Sequence, residues 1–148
     1  RKRIMITGTP MAVPNWKLHS IIESLDAQIV VEETCTGTRY FENEVSEEGA
    51  TMEDLIRNLA DRYLKINCAC FTPNEGRVDD LIRYASEYSV DGVIDSNLSF
   101  CHTYSVEHGI VEKALKEKNI PVMQIETDYS SEDSGQIKTR VEAFLEMI

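Results

Sequence analysis

Long hydrophobic runs, a secretory leader and a cluster of basic residues are all missing from this sequence. Its longest apolar runs span only a few residues, so neither a membrane-spanning helix nor an export signal is expected. Lysine and arginine together number 15 against 26 aspartate and glutamate residues, which gives a formal net charge of −11. The cations are scattered along the chain, and this charge would repel a phosphate backbone. Nucleic acids and membrane surfaces are therefore not expected partners.

The common signatures of nucleotide binding, hydrolysis and zinc binding are missing as well. There is no G-x-G-x-x-G, Walker or G-x-S-x-G pattern, and no C-x-x-C pair of the kind that zinc fingers use. Gly8–Pro10 and Gly37 could shape an anion-binding loop, although such residues more often form structural turns. Glu32, Glu33 and Asp128 could serve acid–base chemistry, but acidic residues at strand ends also cap helices. Without a second member of a catalytic dyad, the sequence does not indicate a hydrolase.

What is present fits one globular unit. The chain has 148 residues, of which 42% are hydrophobic, enough for one substantial core and too few for two domains of ordinary size. We therefore predict a single α/β domain over residues 1–148. The chain opens on Arg1–Arg3 without an initiator methionine and runs directly into an apolar segment, so we expect it to belong to a longer protein.

Short apolar runs alternate with helical stripes along the chain. The predicted strands are Arg3–Pro10, Ala27–Glu32, Asp91–Asp95 and Pro121–Glu126. The predicted helices carry stripes over Leu18–Leu25, Thr51–Ile66, Val78–Tyr88, Ile110–Leu115 and Ile137–Ile148. Pro14 suits the first turn of the first helix, and Thr51 with Asp54 forms a capping-box signal. Because the strands are continuous apolar runs between helices, we predict a three-layer, doubly wound, Rossmann- or flavodoxin-like domain with a four-stranded parallel sheet.

Four cysteines carry the clearest chemical signal. In a chain without an export signal they are expected to be thiols, metal ligands or redox centres of a reducing compartment, the cytoplasm. Ligands bind at the carboxyl ends of parallel strands, and Cys35 and Cys101 follow the second and third predicted strands. Cys68 and Cys70 lie in a helix-to-helix connection that could reach the same edge. Soft thiolates without matching histidines suit zinc or an iron–sulfur cluster, while burial as small hydrophobic residues is the alternative.

The three histidines receive weaker predictions. His102 follows Cys101 and could be a proton donor or a ligand, although an ordinary exposed loop histidine is the simpler interpretation. His19 and His108 lie on helical stretches and are predicted to be surface residues.

Several segments together resemble the C-terminal half of the 2-hydroxyacyl-CoA dehydratase and benzoyl-CoA reductase family. These segments are Glu33–Arg39 (ETCTGTR), Asp61–Asn74 (DRYLKINCACFTPN), Asp91–Ile94 with Phe100–Cys101, Glu126–Ser130 (ETDYS) and Gly135–Glu146 (GQIKTRVEAFLE). They cover nearly the whole chain. The ETCTG and CACFTPN stretches are most similar to the branch that carries a double-cubane cluster.

The resemblance implies a cofactor and an incomplete site. Family subunits hold an iron–sulfur cluster, 4Fe–4S or double-cubane, between two α/β domains, so this chain would be the C-terminal half of a two-domain subunit. Cys101 matches the ligand of the C-terminal domain; Cys35 and one of Cys68 and Cys70 would be additional ligands, three of the four at most. We expect the isolated domain to be inert and without its cluster, and to expose an apolar patch.

The resemblance also implies partners and a reaction. A separate ATP-hydrolysing iron–sulfur activator would deliver a low-potential electron, the substrate would be a 2-hydroxyacyl-CoA, and the partners would include the protein's own N-terminal domain and a sister subunit or second copy. Hydrogen bonds that set the cluster potential could come from Thr36, Thr38 and Asn97. The candidate cations for CoA phosphates are Arg39, Arg77 and Lys17.

Two alternatives stay open. A double-cubane reductase of small molecules would differ mainly in how many cysteines one chain gives to the cluster. A non-catalytic binding or assembly domain would use its cysteines as core residues, and it predicts that Cys35 and Cys101 are buried in apolar surroundings and far apart.

Overall fold

The computed structural model describes all 148 residues and contains four strands and six helices. The strands are β1 (Lys2–Gly8), β2 (Ala27–Glu33), β3 (Gly92–Leu98) and β4 (Val122–Thr127). The helices are α1 (Lys17–Ser24), α2 (Thr38–Phe41), α3 (Met52–Leu64), α4 (Glu75–Glu87), α5 (His102–Glu117) and α6 (Ser134–Met147). The sheet has the order β2-β1-β3-β4, and every neighbouring pair is parallel. The predicted doubly wound α/β fold is confirmed.

Helices cover both faces of the sheet and divide the core into two parts. On one face, α1 and α6 pack on alternate strand residues such as Ile4, Ile94 and Ile125, forming a cluster of 13 buried apolar residues. On the other face, α4 and α5 pack on Met5 and Val93 in a cluster of eight. The alternation follows from the strand period of two, which sends successive side chains to opposite faces. None of the helices has the length and hydropathy needed to cross a membrane.

Two element boundaries differ from the sequence prediction, and one short helix is additional. Helix α1 begins at Lys17, so Pro14 precedes it and does not lie in its first turn. Strand β3 continues to Leu98, because the polar residues Ser96 and Asn97 remain buried and hydrogen-bonded in the sheet instead of forming a loop. The short helix α2 was not predicted, since a single turn carries no periodic signal.

Helix α3 is well formed but faces solvent with its apolar side. The predicted capping box is confirmed, because the Thr51 hydroxyl and the Asp54 carboxylate each accept a hydrogen bond from the other's backbone N–H. The only buried residue of the helix is Arg62, whose guanidinium donates to the carbonyl oxygens of Asn43 and Tyr40. We call the following residues the exposed apolar face of α3: Met52, Leu55, Ile56, Leu59, Tyr63 and Leu64.

Candidate thiol site and the buried ion network

The four cysteines lie in three segments near the carboxyl ends of the strands. Cys35 follows β2 and is exposed, Cys101 precedes the first residue of α5 and is half-buried, and Cys68 and Cys70 lie in the loop between α3 and α4. The pKa of Cys70 is raised above its ordinary value, chiefly by a hydrogen bond to Cys68 and the negative charge there, and further by charges on Cys101 and Cys35. Cys70 therefore lies within electrostatic range of each of the other three thiols.

The loop that carries Cys68 and Cys70 is held by an asparagine at each end. The side-chain amide of Asn67 donates to Asp80 on α4 at 2.7 Å, and that of Asn74 donates to Glu107 on α5 at 2.6 Å. Gly76 allows the first contact, since a Cβ at this position would lie 2.6 Å from the Asn67 side-chain oxygen. The α4 and α5 helices thus fix where the C-x-C segment meets the sheet.

A tight turn positions Cys35. The N–H of Gly37 donates to the Thr34 carbonyl oxygen at 3.1 Å, and a Cβ on Gly37 would lie 2.0 Å from the Glu32 carbonyl oxygen. In the other glycine loop, the N–H of Thr9 donates to Ser96 at 2.9 Å. These backbone donors are used inside the protein, so both loops are structural turns and not the anion-binding loop that the sequence left open.

Below the thiols lies a layer of buried charges centred on Glu33, the last residue of β2. Glu33 is 1% exposed and accepts hydrogen bonds from the guanidinium groups of Arg39 and Arg77 and from the Thr7 hydroxyl. Arg77 is completely buried and also pairs with Glu107 of α5. Two guanidinium groups therefore balance two carboxylates in the interior, which is the condition under which buried charges are tolerated.

Both arginines remain charged in this layer. Burial alone would lower the pKa of Arg77, but the charges of Glu33, Asp95 and Glu107 outweigh it and raise the pKa. Burial likewise acts to lower the pKa of Arg39, and its hydrogen bond to Glu33 leads the contributions that raise it instead. Arg39 therefore places a charged guanidinium near the Cys35 and Cys68 sulfurs.

Tyr104 connects the ion network to the thiols. Its ring lies close to both guanidinium groups, with centroid distances of 5.5 Å to Arg39 and 4.9 Å to Arg77. Arg39 donates a hydrogen bond to the Tyr104 hydroxyl, and that hydroxyl lies 4.0 Å from the Cys68 sulfur. The same Arg39 nitrogen lies 3.8 Å from the Cys35 sulfur. Two of the four thiols are thus in contact with this arginine–tyrosine pair.

Cys68 and Cys70 are not equivalent. Cys68 is half-buried, and burial acts to raise its pKa, but the N–H and thiol of Cys70, the Tyr104 hydroxyl and the charge of Arg39 together lower it. Cys70 is exposed and has its pKa raised. Negative charge is consequently favoured on the Cys68 sulfur.

The arrangement does not fit core-filling cysteines. Cys35 is exposed, and the sulfur of Cys101 lies 3.6 Å from the Thr103 hydroxyl rather than among apolar groups. No three histidine, cysteine or acidic side chains approach closely enough to ligate a single metal ion. The ligands of an iron–sulfur cluster bind different iron atoms and so need not meet at one point, and an all-thiolate donor set suits such a cluster.

The sequence-predicted hydrogen-bond donors have different surroundings. Asn97, at the end of β3, is completely buried, and neither side-chain amide atom has a hydrogen-bond partner. Thr38 is buried beside the Tyr84 hydroxyl, and the Thr36 hydroxyl lies 3.2 Å from that of Thr34. Asn97 is therefore a buried polar group at the strand ends that still requires a partner, since such groups are rarely left unpaired.

The three predicted phosphate-binding cations are already engaged within the protein. Arg77 is inaccessible, and Arg39 is buried against Glu33. The Lys17 ammonium contacts Asp133 and the Thr127 hydroxyl at 2.6 Å each, and the carbonyl oxygens of Asp128 and Ser130. None of the three candidates is therefore free to bind CoA phosphates in this domain, because each is buried or held by partners within the fold.

Two histidine predictions also need correction. His108 is not a simple surface residue: its Nδ1 lies 2.6 Å from the fully buried carboxylate of Asp95. His19 likewise pairs through Nε2 with Glu32 at 2.8 Å. His102 is exposed at the first turn of α5, in agreement with the simpler interpretation.

Sequence reasoning missed Tyr104 and Glu107 as parts of the site, and it named Arg77 only as a candidate for CoA phosphates and not as part of an ion network. A signal was present on α5, where Tyr104, Glu107 and Val111 recur at helical spacing and all three are buried. A carboxylate inside an apolar stripe indicates a buried charge that must have a partner.

Two cavities adjoin the thiols. A cleft of about 330 Å³ contains Cys35 and Arg39 in its wall. A groove of about 860 Å³ runs between α4 and α5 beside Ala69 and His102. The wall of the groove includes Phe71, Val106 and Ile110, and it contains three carboxylates but neither lysine nor arginine.

Comparison with known proteins gives a consistent result. The chain is 44% identical over 149 aligned residues to YjiM of Escherichia coli (strain K12), named as a dehydratase subunit, covering 100% of this chain and 38% of YjiM. It is 26% identical to the (R)-phenyllactyl-CoA dehydratase beta subunit of Clostridium sporogenes, and 24% identical to the lactoyl-CoA dehydratase subunit beta of Anaerotignum propionicum. Each match covers 99% of this chain and 38% of the relative.

The chain thus spans well under half the length of these relatives. The family model described as 2-hydroxyglutaryl-CoA dehydratase, D-component, matches residues 1–148. Because that match extends over the whole chain, the protein belongs to the 2-hydroxyglutaryl-CoA dehydratase D-component family.

Proposed function

We propose that this chain is the cluster-binding C-terminal domain of a two-domain subunit of a cytoplasmic 2-hydroxyacyl-CoA dehydratase-type enzyme. In this role it receives low-potential electrons that an ATP-dependent iron–sulfur activator delivers. The observation that carries the proposal is that thiols from two separate segments, Cys35 after β2 and Cys68 in the α3–α4 loop, contact the same arginine–tyrosine pair, Arg39 and Tyr104, near the carboxyl edge of the sheet. Family membership supplies the reaction class.

Cys101, Cys35 and Cys68 are the proposed ligands. Cys35 follows β2 and Cys101 follows β3, the two strands on either side of β1, and Cys68 lies in the α3–α4 loop. Cys70 is the exposed member of the C-x-C pair and has no contact with the arginine–tyrosine pair, so it is the spectator. When bound, the iron–sulfur cluster, 4Fe–4S or double-cubane, supplies one-electron chemistry.

The protein's own groups prepare this edge for a negatively charged sulfur centre. Arg39 and Arg77 hold positive charge beneath the thiols, and Glu33 and Glu107 fix both guanidinium groups. The unpaired amide of Asn97 is available to donate a hydrogen bond to a group bound there. Hydrogen bonds and charge around the sulfur atoms are the means by which proteins adjust such centres.

The groove between α4 and α5 is suited to the acyl part of a thioester substrate. Apolar side chains such as Phe71 and Val106 line it, whereas its carboxylates would repel the phosphates of CoA. The phosphates would accordingly be bound outside this groove.

The exposed apolar face of α3 is the proposed contact for another part of the assembly. Met52, Ile56 and Tyr63 on this face are each more than half exposed. Contiguous apolar surface of this kind marks interaction sites. The subunit's own N-terminal domain and a sister subunit are the proposed partners, in keeping with the relatives named as subunits.

A double-cubane reductase of small molecules is the second candidate, favoured by the presence of four thiols in one chain. The two candidates predict different amounts of iron: one 4Fe–4S cluster shared between domains, or a larger cluster that uses more of the cysteines.

The test is anaerobic reconstitution of the full-length subunit, with its sister subunit, using iron and sulfide. Iron and sulfide are counted per protein, and dehydration of a set of 2-hydroxyacyl-CoA thioesters is then followed with an ATP-dependent activator and a reductant. We expect cluster incorporation and turnover that depends on ATP.

A protein that takes up no iron would refute both candidates and leave the non-catalytic domain. Iron uptake at the double-cubane level without dehydration of any thioester would favour the reductase.

A further inference from the structure

The donor and acceptor roles around Tyr104 can be assigned from chemistry. An arginine guanidinium can only donate hydrogen bonds. The hydrogen bond between Arg39 and the Tyr104 hydroxyl therefore uses the phenol oxygen as acceptor. The phenol hydrogen remains free to donate. The acceptor within reach is the Cys68 sulfur, which lies 4.0 Å from the phenol oxygen.

The position of this hydroxyl is set by its surroundings. Tyr104 is 5% exposed, and its ring is in contact with the guanidinium groups of both Arg39 and Arg77. Both arginines are fixed in turn by Glu33, which is buried at the end of β2. A buried ring that contacts two anchored cations, one of them hydrogen-bonded to its hydroxyl, has little freedom to turn away from Cys68.

The same contact separates the two members of the C-x-C pair. Cys68 lies next to the Tyr104 hydroxyl, whereas Cys70 is exposed and has no contact with it. A donor aimed at one sulfur stabilises negative charge on that sulfur and not on its neighbour. Sequence spacing alone makes the two cysteines equivalent, and Tyr104 removes that equivalence.

We propose that Tyr104, oriented by Arg39, is a positioning residue that donates a hydrogen bond to the Cys68 sulfur, selects Cys68 over Cys70 as ligand, and makes the bound cluster easier to reduce. The proposal rests on the proposed function, because it concerns the same thiol site. Reduction adds negative charge to the cluster and its sulfur ligands, so a hydrogen bond to sulfur stabilises the reduced state more than the oxidised state.

The test compares Tyr104→Phe with Tyr84→Phe in the full-length, reconstituted subunit. Tyr84 is an apt control: it is 2% exposed, and its hydroxyl donates to Glu42 rather than to a thiol. Both substitutions keep the ring and remove one buried hydroxyl. The readouts are iron content and a redox titration followed by electron paramagnetic resonance.

We expect Tyr104→Phe to retain iron and to become harder to reduce. At the wild-type midpoint potential, its ratio of reduced to oxidised cluster should fall roughly three- to tenfold, the effect of losing the net contribution of one typical hydrogen bond. Tyr84→Phe should leave this ratio unchanged. An unchanged ratio in Tyr104→Phe, or an equal fall in both variants, would overturn the proposal.

A measurement on the wild-type protein covers the case in which Tyr104→Phe does not fold. After exchange into deuterium oxide, the reduced cluster should couple magnetically to an exchangeable deuteron near a cysteine sulfur. A cluster without any such coupling overturns the role of Tyr104 while leaving the proposed function intact. If the wild-type subunit binds no iron at all, the proposed function itself is refuted, before the role of Tyr104 is tested.

Discussion

The two faces of the sheet are built from the same strands but have different interiors. Under α1 and α6 the core consists of apolar side chains from all four strands. Ile94 is the residue of β3 in this core. Under α4 and α5 the core is apolar only beside Met5 and Val93, and the carboxyl ends of the strands bear buried charges, including Glu33 and Asp95. Since Ile94 and Asp95 are adjacent in β3, the difference lies in alternate positions of the same strand. One face stabilises the domain, and the other also forms the thiol site.

The buried charges on the α4/α5 face of the sheet are hard to explain by stability alone. Removing charges from water is costly, and replacing a buried ion pair with well-packed apolar residues is often neutral or stabilising. Glu33, Arg39 and Arg77 are instead arranged so that a fixed positive charge lies beside the Cys35 and Cys68 sulfurs. We infer that this network is retained for the electrostatics of the thiols, at some cost to the fold.

The largest effect is expected from Glu33→Gln. This change leaves two buried guanidinium groups short of a compensating charge, and breaking a buried pair in this way costs about 3–5 kcal/mol. Urea unfolding of the domain should show the loss as a lower midpoint. Glu32→Gln, next in sequence and paired only with His19, is the matched control, with an expected loss of about 1 kcal/mol or less. Equal midpoints for the two variants would show that the two faces do not differ as described.

A change of similar size on the apolar face should leave the thiol site intact. Ile94→Ala removes completely buried methyl groups from the α1/α6 side and should cost about 2–5 kcal/mol of unfolding free energy. The folded protein should nevertheless bind iron as the wild type does, because Ile94 faces away from the thiols. Iron content that falls in parallel with stability would contradict the division between the faces.

The smallest effect is expected from Asp133→Asn, which removes the ion pair between Asp133 and Lys17 of α1. Burial acts to raise the pKa of Asp133, but its hydrogen bonds to Lys17 and Thr127 lower it below the ordinary value. Its stabilising contribution is therefore full above the unfolded-state pKa of about 3.9 and is lost as the pH falls through the lowered folded-state pKa. Asp133→Asn should be less stable than wild type near neutral pH, by about 1 kcal/mol or less.

This difference should close as the pH is lowered below about 3.9, as measured by thermal unfolding at a series of pH values. Glu132→Gln, which alters the preceding residue and removes no ion pair, is the control. A gap between Asp133→Asn and wild type that stays constant down to pH 2 would contradict the assignment.

The sequence predicts the sheet, the thiol edge and the capping box of α3, because each depends on local periodicity or on the rule that parallel strands end at one edge. It does not predict the ion network. Glu33, Arg77 and Glu107 come from three separate elements, and only the folded chain shows that their charges cancel. For the same reason spacing cannot rank Cys68 against Cys70, since the difference arises from Tyr104 on a distant helix.

The most direct measurement is iron bound per subunit in the four single variants Cys35→Ala, Cys68→Ala, Cys70→Ala and Cys101→Ala, each reconstituted anaerobically at full length. Loss of one sulfur ligand should abolish or strongly reduce iron binding in the variants of Cys101, Cys35 and Cys68, while Cys70→Ala should retain the wild-type content. Iron content that is the same in all four variants would contradict the account, because the thiols gathered at the sheet edge would then not hold the cluster.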